Sequence, residues 1–247
     1  MKEVFWTFDH ILIAKNYSDP APHRHLAKHL IFCTEGEVEC RIENLRLFGR
    51  GVCINSNIEH TVKENGKELL VFLFDETSKL SRELETNYLK GEPCSVIEDT
   101  IAEKVNKGWK AYQNDAKALD QAVLAACKLN GIAHSNYDRR INCVLERALN
   151  LEGIYEDTMD LLCREAFLSR SRLSHLFKEE VGVALSSYLV FEKMRKTCAY
   201  AAVGESLTSA CIRAGFGSSS HFANTCKRMF GLAYSDFAKT ALFQQIP

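Results

Sequence analysis

Residues 210–231 read ACIRAGFGSSSHFANTCKRMFG, and this stretch decides the fold of the C-terminal part of the chain. Small residues fill its first half, after which Phe222, Cys226 and Phe230 recur at every fourth position, as on one face of an α-helix. The glycines therefore mark either a turn between two helices or a phosphate-binding loop. A phosphate-binding loop needs a preceding strand and GxGxxG or Gly-Lys-Ser/Thr spacing. Helix-like sequence precedes GFGSSS instead, so the pattern favours the turn.

A second stretch, LLCREAFLSRSRLSHLFKEEVG at 161–182, has the same organisation 49 residues earlier. Each copy contains a short helical segment, a turn that ends in serine, and a second helical segment closed by glycine. Four positions of the first copy match four of the second: Leu173, Phe177, Lys178 and Gly182 correspond to Phe222, Cys226, Lys227 and Gly231. The sequence therefore predicts an internal repeat of two helix-turn-helix units.

The two copies, and AGFGSSSHFANTCKRMFG above all, resemble the AraC/XylS family of bacterial transcription regulators. The resemblance covers Arg139 to Phe237 and implies a DNA-binding domain with two helix-turn-helix units joined by a long helix. Family members often have glycine at the position of Phe167 and arginine at the position of Asn224. The front of the chain, with HRHLAKHLIFCTEGEV and NIEH, is similar to the cupin-like sensor barrel that many members carry.

Three segments follow from the patterns along the chain. Short apolar runs between turn residues indicate strands up to about Phe74, including a hairpin within LIFCTEGEVECRI. After these strands the apolar residues recur with the spacing of helices. One such helix has an apolar stripe through Leu119 and Val123, which fits either a core or a dimer face. We therefore expect an α+β multidomain protein. Its parts are a cupin-like β-barrel over 1–77, a helical connector for dimerisation over 78–136, and an all-α domain with two helix-turn-helix units over 137–247.

In a helix-turn-helix unit, the N-terminal part of the second helix faces the bases in the major groove. The resemblance and this geometry together predict contacts with DNA from a set of polar residues: Arg170, Ser171, Arg172, Ser174, His175, Lys178, Ser219, Ser220, Asn224, Lys227 and Arg228. Asn224 is suited to read adenine, whereas Lys178, Lys227 and Arg228 are suited to contact phosphates. Ser219 and Ser220 also fit the alternative of capping a helix.

Four of the eight histidines, His23, His25, His29 and His60, lie in the front segment. Metal cupins have an HxH motif, an acidic residue shortly after it and a distant histidine. HRHLAKH and NIEH match this arrangement with His29 at the acidic position, and imidazole binds Zn, Fe, Mn or Ni. The alternative is a small organic effector inside the barrel. The candidate residues for that pocket are His25, His29, Ile31, Cys33 and Cys53, although core packing also explains Ile31 and Cys33.

The 247 residues are 46% hydrophobic and 26% charged, as in ordinary globular proteins, and no apolar run is long enough to cross a bilayer. Ten cysteines without a CxxC pair indicate reduced thiols and a cytoplasmic location. With a net charge of −1, any contact with DNA must come from local cations.

We expect a non-enzymatic transcription regulator that binds double-stranded DNA as a homodimer, contacts RNA polymerase and responds to a small effector. The alternative is a metal-dependent cupin enzyme with an appended helical domain.

Overall fold

The apolar runs of the front segment form β-strands in the computed structural model. The structure describes residues 3–6, 10–14, 21–63, 67–76, 78–112, 115–130, 137–181, 184–230 and 242–245. The strands are β1 (Glu3–Trp6), β2 (His10–Ala14), β3 (Lys28–Cys33), β4 (Val38–Ile42), β5 (Leu45–Gly49), β6 (Gly51–Ile54), β7 (His60–Lys63), β8 (Leu69–Phe74), β9 (Cys94–Val96) and β10 (Leu242–Gln245).

The strands form two sheets, one of seven strands in the order β10-β1-β2-β8-β3-β6-β9 and one of three in the order β5-β4-β7. Neighbouring strands are antiparallel, except that β1 and β10 are parallel. The central strands β3 and β8 are buried along their whole length. Continuous apolar runs such as LLVFLF at 69–74 suit this position because both faces of the sheet are covered.

Helices cover one face of the large sheet. They are α1 (Lys79–Leu84), which continues into a π-helical turn at Glu85–Leu89, α2 (Asp99–Ala111) and α3 (Ala116–Ala126). Leu30, Phe32 and Phe72 of the sheet share one buried cluster with Trp109 and Val123 of these helices. The apolar stripe of α3 is therefore part of a core, and Asp115 caps this helix by accepting a hydrogen bond from the Ala118 amide at 3.0 Å.

The C-terminal half is helical. Its helices are α4 (Arg139–Asn150), α5 (Thr158–Ala166), α6 (Arg170–Val181), α7 (Leu185–Ala202), α8 (Leu207–Arg213) and α9 (Ser219–Phe230). Asp138 caps α4 by accepting from the Arg140 amide at 2.9 Å. The 18-residue helix α7 lies between the α5–α6 pair and the α8–α9 pair in the chain, as the resemblance predicted. Its Tyr188 ring packs 5.4 Å from the Phe177 ring of α6, measured between centroids.

The chain divides into two units. The sheet unit comprises Met1–Ile132 with Thr225–Pro247, and the helical unit comprises Ala133–Asn224. The predicted order, a β domain followed by a helical region with two helix-turn-helix units, is confirmed. The strand prediction differs in one respect, since the two sheets do not close into a barrel among the described residues. The segment boundaries at 77 and 136 stay predictions, with 78–132 lying in the sheet unit.

The predicted hairpin within LIFCTEGEVECRI is wrong. Strand β3 pairs with β6 and β8 in the large sheet, whereas β4 pairs with β5 and β7 in the small one. The chain does turn at Gly36, whose φ is +75°, but the turn carries it from one sheet to the other.

Two further expectations concern the whole chain. The nine cysteines that the structure describes are free thiols, six of them buried. In the described part of the chain, no helix is both long and apolar enough to cross a membrane.

Candidate functional site

The first helix-turn-helix unit consists of α5, a three-residue turn and α6. Helix α5 ends at Phe167, which has a left-handed backbone with φ +53°. The Phe167 and Leu168 amides donate to the carbonyls of Arg164 and Cys163, the hydrogen-bond pattern that commonly ends a helix. Ser169 then caps α6 by accepting from the Arg172 amide at 3.3 Å. The turn is therefore short and fully hydrogen-bonded, which fixes the angle between the two helices.

The second unit is built the same way from α8, a five-residue turn and α9. Ser206 caps α8, accepting from the Ser209 amide at 3.2 Å, and Ser218 caps α9, accepting from the His221 amide at 3.0 Å. Gly215 supplies the left-handed residue, with φ +103°. Its amide donates to the Ile212 carbonyl and that of Phe216 to the Cys211 carbonyl. Because the turn amides close α8, GFGSSS joins two helices and is no phosphate-binding loop.

The 49-residue repeat is confirmed at the level of structure. Helices α5 and α8 begin at Thr158 and Leu207, and α6 and α9 begin at Arg170 and Ser219. Both intervals equal the spacing read from the sequence. Leu173 and Phe222, at matching positions in α6 and α9, are fully buried. The same apolar pattern therefore holds each second helix against its unit.

Most of the residues predicted to contact DNA from α6 are exposed. Arg170, Ser171, Arg172, His175 and Lys178 are exposed, and Ser174 is half-buried. Arg170 is engaged in an ion pair within the unit, its Nη2 lying 2.6 Å from Asp160 Oδ1. The opposite face of α6 carries the buried side chains of Leu173, Phe177 and Val181. A polar face is thus presented over the first two turns of α6.

Helix α9 also presents polar side chains. Ser220, Asn224 and Arg228 are exposed and Ser219 is half-buried. The residue that caps α9 is Ser218, so Ser219 and Ser220 are not needed as the cap. The Lys227 side chain lies outside the described part of the chain, as do Cys226 and Gly231.

The four predicted histidines come together in the sheet unit. His23 and His60 exchange two backbone hydrogen bonds of 3.0 and 2.9 Å, which pins the loop at 21–27 to the start of β7. The centroid of the His60 ring lies 4.5 Å from that of His23, 5.2 Å from that of His25 and 4.4 Å from that of His29. His29 belongs to the large sheet and His60 to the small one, so the cluster lies where the two sheets meet.

Burial keeps these imidazoles neutral. It holds the pKa of His25 and His29 well below the usual value and lowers that of His60 to about 4. The charges that neighbouring histidines would carry lower the pKa further at His25 and His29. The pKa of His23, which is less buried, is lowered for the same main reason. Neutral imidazole is the form that binds a metal ion.

The residues predicted for an effector pocket do not all share one face. His29 and Ile31 lie opposite Ile54 and Val52 of β6, whereas Leu30 lies opposite Cys53. Paired residues point to the same side of an antiparallel sheet, so Cys53 shares the helix-covered face with Leu30, and both belong to the buried cluster there. His29, Ile31 and Cys33 alternate onto the other face, where His29 contacts His25.

Comparison with known proteins identifies the type of domain in the C-terminal part of the chain. Residues 162–240 match the profile of a family described as a helix-turn-helix domain. The chain carries an AraC-type helix-turn-helix domain. The match begins within α5 and runs beyond α9, so it includes the second unit and the part of the first unit from Leu162 onward. No curated protein sequence matches the chain significantly.

Several solved structures of ToxT from Vibrio cholerae are similar to most of the chain. One, from strain O395, is 13% identical, covers 93% of this chain and 96% of that chain, and has a TM-score of 0.56. A second, in a P21 crystal form, is 12% identical over 93% and 98% with a TM-score of 0.58. A third, from strain SCE256 and bound to an unsaturated fatty acid, is 14% identical over 93% and 95% with a TM-score of 0.53. These values indicate a shared fold.

One exposed residue of the AraC-type domain was missed in the sequence. His221 is exposed on the first turn of α9, and its ring packs edge-on against Phe216 with centroids 5.4 Å apart. By the 49-residue period it corresponds to Arg172, which the sequence did single out. The period itself would have found it. Arg172 and His221 thus occupy equivalent positions on the two polar helices.

Proposed function

We propose that this protein is a sequence-specific DNA-binding transcription regulator, with α6 and α9 as its two recognition helices. The observation that carries the proposal is the structural repeat of the AraC-type domain. Each unit presents a serine-capped helix with exposed polar residues at its N-terminal end and a buried apolar face behind them. This is the arrangement with which helix-turn-helix proteins enter the major groove. It favours a regulator over the metal-dependent enzyme that the histidines alone also allow.

The candidate DNA-contacting side chains divide into two roles. Asn224 is the strongest candidate for reading a base, because its amide pairs with adenine through two hydrogen bonds, and Arg172 suits guanine in the same way. Lys178, Lys227 and Arg228 lie further along their helices and serve as phosphate contacts. Arg170 has a competing partner in Asp160, so we assign it to positioning α6. Since the net charge of the chain is only −1, these few cations supply the attraction to DNA.

The sheet unit is proposed as the sensor. A structure of ToxT was solved with an unsaturated fatty acid bound, which supports a small effector for this fold. In this chain the face that carries His29, Ile31 and Cys33 is the candidate wall of such a site. An effector that binds one arrangement of the protein better than another shifts the population toward it and so changes DNA binding.

We also propose that the protein forms a homodimer, contacts RNA polymerase and has a cytoplasmic location.

Binding measurements on duplex DNA test the reading role. Purified protein is titrated into fluorescent duplexes from the region upstream of its own gene and into a random duplex. Asn224→Ala is expected to weaken binding to the specific duplex by about tenfold, since one bidentate base contact contributes ~1–3 kcal/mol of discrimination. Binding to the random duplex should change little. Asn150→Ala, which removes an exposed amide from the end of α4, is the matched control and should leave both affinities unchanged.

Two results would count against the proposal. Equal weakening on specific and random duplexes would remove Asn224 from base reading. A wild-type protein that binds no duplex even at low salt, where phosphate contacts are strongest, would overturn the DNA-binding function.

A further inference from the structure

The histidine cluster contains more buried nitrogen atoms than its own hydrogen bonds satisfy. His23 Nδ1 donates to the Ala21 carbonyl at 3.0 Å, and His60 Nδ1 donates to the Ile58 carbonyl at 2.9 Å. A carbonyl only accepts, so both rings carry their proton on Nδ1, and Nε2 is a bare lone pair. Both Nε2 atoms are buried and have no hydrogen-bond partner among the described residues.

His25 and His29 add two more buried ring nitrogens to the cluster. Their Nε2 atoms are 2.9 Å apart, so one of the two rings donates a hydrogen bond to the other. The Nδ1 atom of each ring is buried without a hydrogen-bond partner in the described part of the chain. His25, His29 and His60 are exposed by only 7%, 1% and 2%, so bulk water does not supply partners. Buried polar atoms in folded proteins nearly always have partners, and a cluster of such atoms calls for a bound species.

We propose that His23, His25 and His60 bind a divalent transition-metal ion in the sheet unit, with His29 as the neighbour that positions His25. One ring nitrogen from each of the three lies within 4.8 Å of one from each of the others, a spacing that a single ion placed between them spans. The proposal concerns the sheet unit alone and does not rest on the DNA-binding function.

The hydrogen bonds that hold the three ligands in place are already formed without a metal ion. A ligating imidazole usually donates its other N–H to a carbonyl or a similar acceptor, which fixes the ring and its tautomer. His23 and His60 have such a partner in Ala21 and Ile58. Their backbones are joined by the two hydrogen bonds described above, and the Asn57 amide donates to the His25 carbonyl at 2.7 Å. The loop that holds His23 and His25 is therefore fixed against β7 without a metal ion.

The type of ligand selects the metal. The cluster offers imidazoles, which suit Zn, Cu, Fe and Ni, and the three residues include no carboxylate of the kind that Mg and Ca prefer. Three histidines leave one of the four tetrahedral positions of zinc open. An open position accepts water or a small anionic or neutral ligand, which suits a sensing role as well as a structural one. Zinc is therefore the first probe.

The test uses the full chain, purified without a histidine tag and dialysed against chelator and then against metal-free buffer. Metal content is measured before dialysis by mass spectrometry, and zinc binding afterwards by calorimetry. We expect about one ion per chain before dialysis and saturable binding of about one zinc ion after it. His60→Gln should weaken zinc binding by 10-fold or more, in line with losses of about 10–100-fold for disturbing a metal site. His175→Gln, which changes an exposed histidine of α6, should bind zinc as wild type does.

A second measurement on the unaltered chain covers the case in which His60→Gln does not fold. Cobalt(II) added to the dialysed wild-type protein should give the visible absorption of a four-coordinate site, and zinc should remove it. Two results would overturn the proposal: a wild-type chain that binds neither zinc nor cobalt stoichiometrically, or a folded His60→Gln protein that binds zinc as tightly as wild type. In either case His23, His25 and His60 do not form the proposed metal site.

Discussion

Gly215 in the second turn lies against the backbone of Ile154, so closely that a Cβ atom added to it would overlap the Ile154 carbonyl oxygen. The Ile154 amide in turn donates to the Ala214 carbonyl at 3.0 Å. The segment between α4 and α5 is thus tied to the turn between α8 and α9. Lys193 of α7 adds a third support, since its Nζ donates to the Gly215 carbonyl at 2.8 Å. The turn of the second helix-turn-helix unit is thus held by the segment before α5 and by α7.

Gly215→Ala is expected to destabilise the helical unit. An alanine must adopt φ near +103° and displace the Ile154 backbone, and strain of this kind costs ~1–3 kcal/mol. Gly217→Ala is the matched control, because no atom lies within 4 Å of a Cβ added at Gly217. Urea unfolding should separate the two, with a lower midpoint for Gly215→Ala alone. Equal stability of both variants would contradict the close packing of this turn.

Phe167→Gly is expected to make the protein more stable. Phe167 has a left-handed backbone and its side chain is 93% exposed, so glycine removes strain and sacrifices little packing. A left-handed backbone raises the free energy of a non-glycine residue in the folded state by ~1–2 kcal/mol, and glycine removes this strain. Glycine also gives the unfolded chain more conformational freedom, which lowers stability by ~0.5–1 kcal/mol. The free energy of unfolding should rise by roughly 0.5 kcal/mol. Phe167→Ala keeps the Cβ and should bring no such gain, so a gain of the same size there would refute the explanation.

Several of these local features follow from the sequence. The caps at Asp115, Asp138, Ser206 and Ser218 are of a kind that a sequence reveals, because a side-chain oxygen placed before an apolar helix satisfies a free amide. The 49-residue period also predicts both α6 and α9, since a repeated pattern of buried and exposed positions specifies the same local structure twice. Such features are encoded within a few residues of the chain.

The predictions that the structure contradicts concern contacts between residues far apart in sequence. The turn at Gly36 is visible in TEGE, yet the strand before it pairs with β6 and β8 and not with the strand after it. Cys53 was placed with Ile31, but the register between β3 and β6 puts it on the opposite face. The four histidines were singled out by spacing, whereas their convergence depends on the backbone bridge between His23 and His60. Strand register is set by the packing of the whole sheet.

Glu192→Ala is expected to destabilise the helical unit strongly. The Glu192 side chain is fully buried and accepts two hydrogen bonds from Arg195, of 3.0 and 2.6 Å. Lys196, also buried, lies 3.9 Å away and donates to the Leu149 carbonyl of α4 at 2.8 Å. Removing the carboxylate breaks a buried ion pair and takes away the acceptor of two charge-assisted hydrogen bonds, which typically costs ~3–5 kcal/mol.

Thermal unfolding followed by circular dichroism measures this loss. The control is Glu179→Ala, which removes an exposed carboxylate from α6 and should change stability by less than ~0.5 kcal/mol. If Glu192→Ala unfolds at the same temperature as the control, the buried ion pairs do not stabilise α7.

We propose that α6 and α9 each place polar residues in a major groove of the same duplex. Interference footprinting with 7-deazaadenine and 7-deazaguanine, which remove the N7 acceptors of the major groove, tests it most directly on a duplex selected by the protein from a random pool. We expect two clusters of major-groove contacts about one helical turn apart, roughly 10 base pairs. Asn224→Ala should erase the contacts in one cluster alone, and Arg172→Ala should erase those in the other. A single cluster, or two clusters that both disappear with either substitution, would contradict the claim.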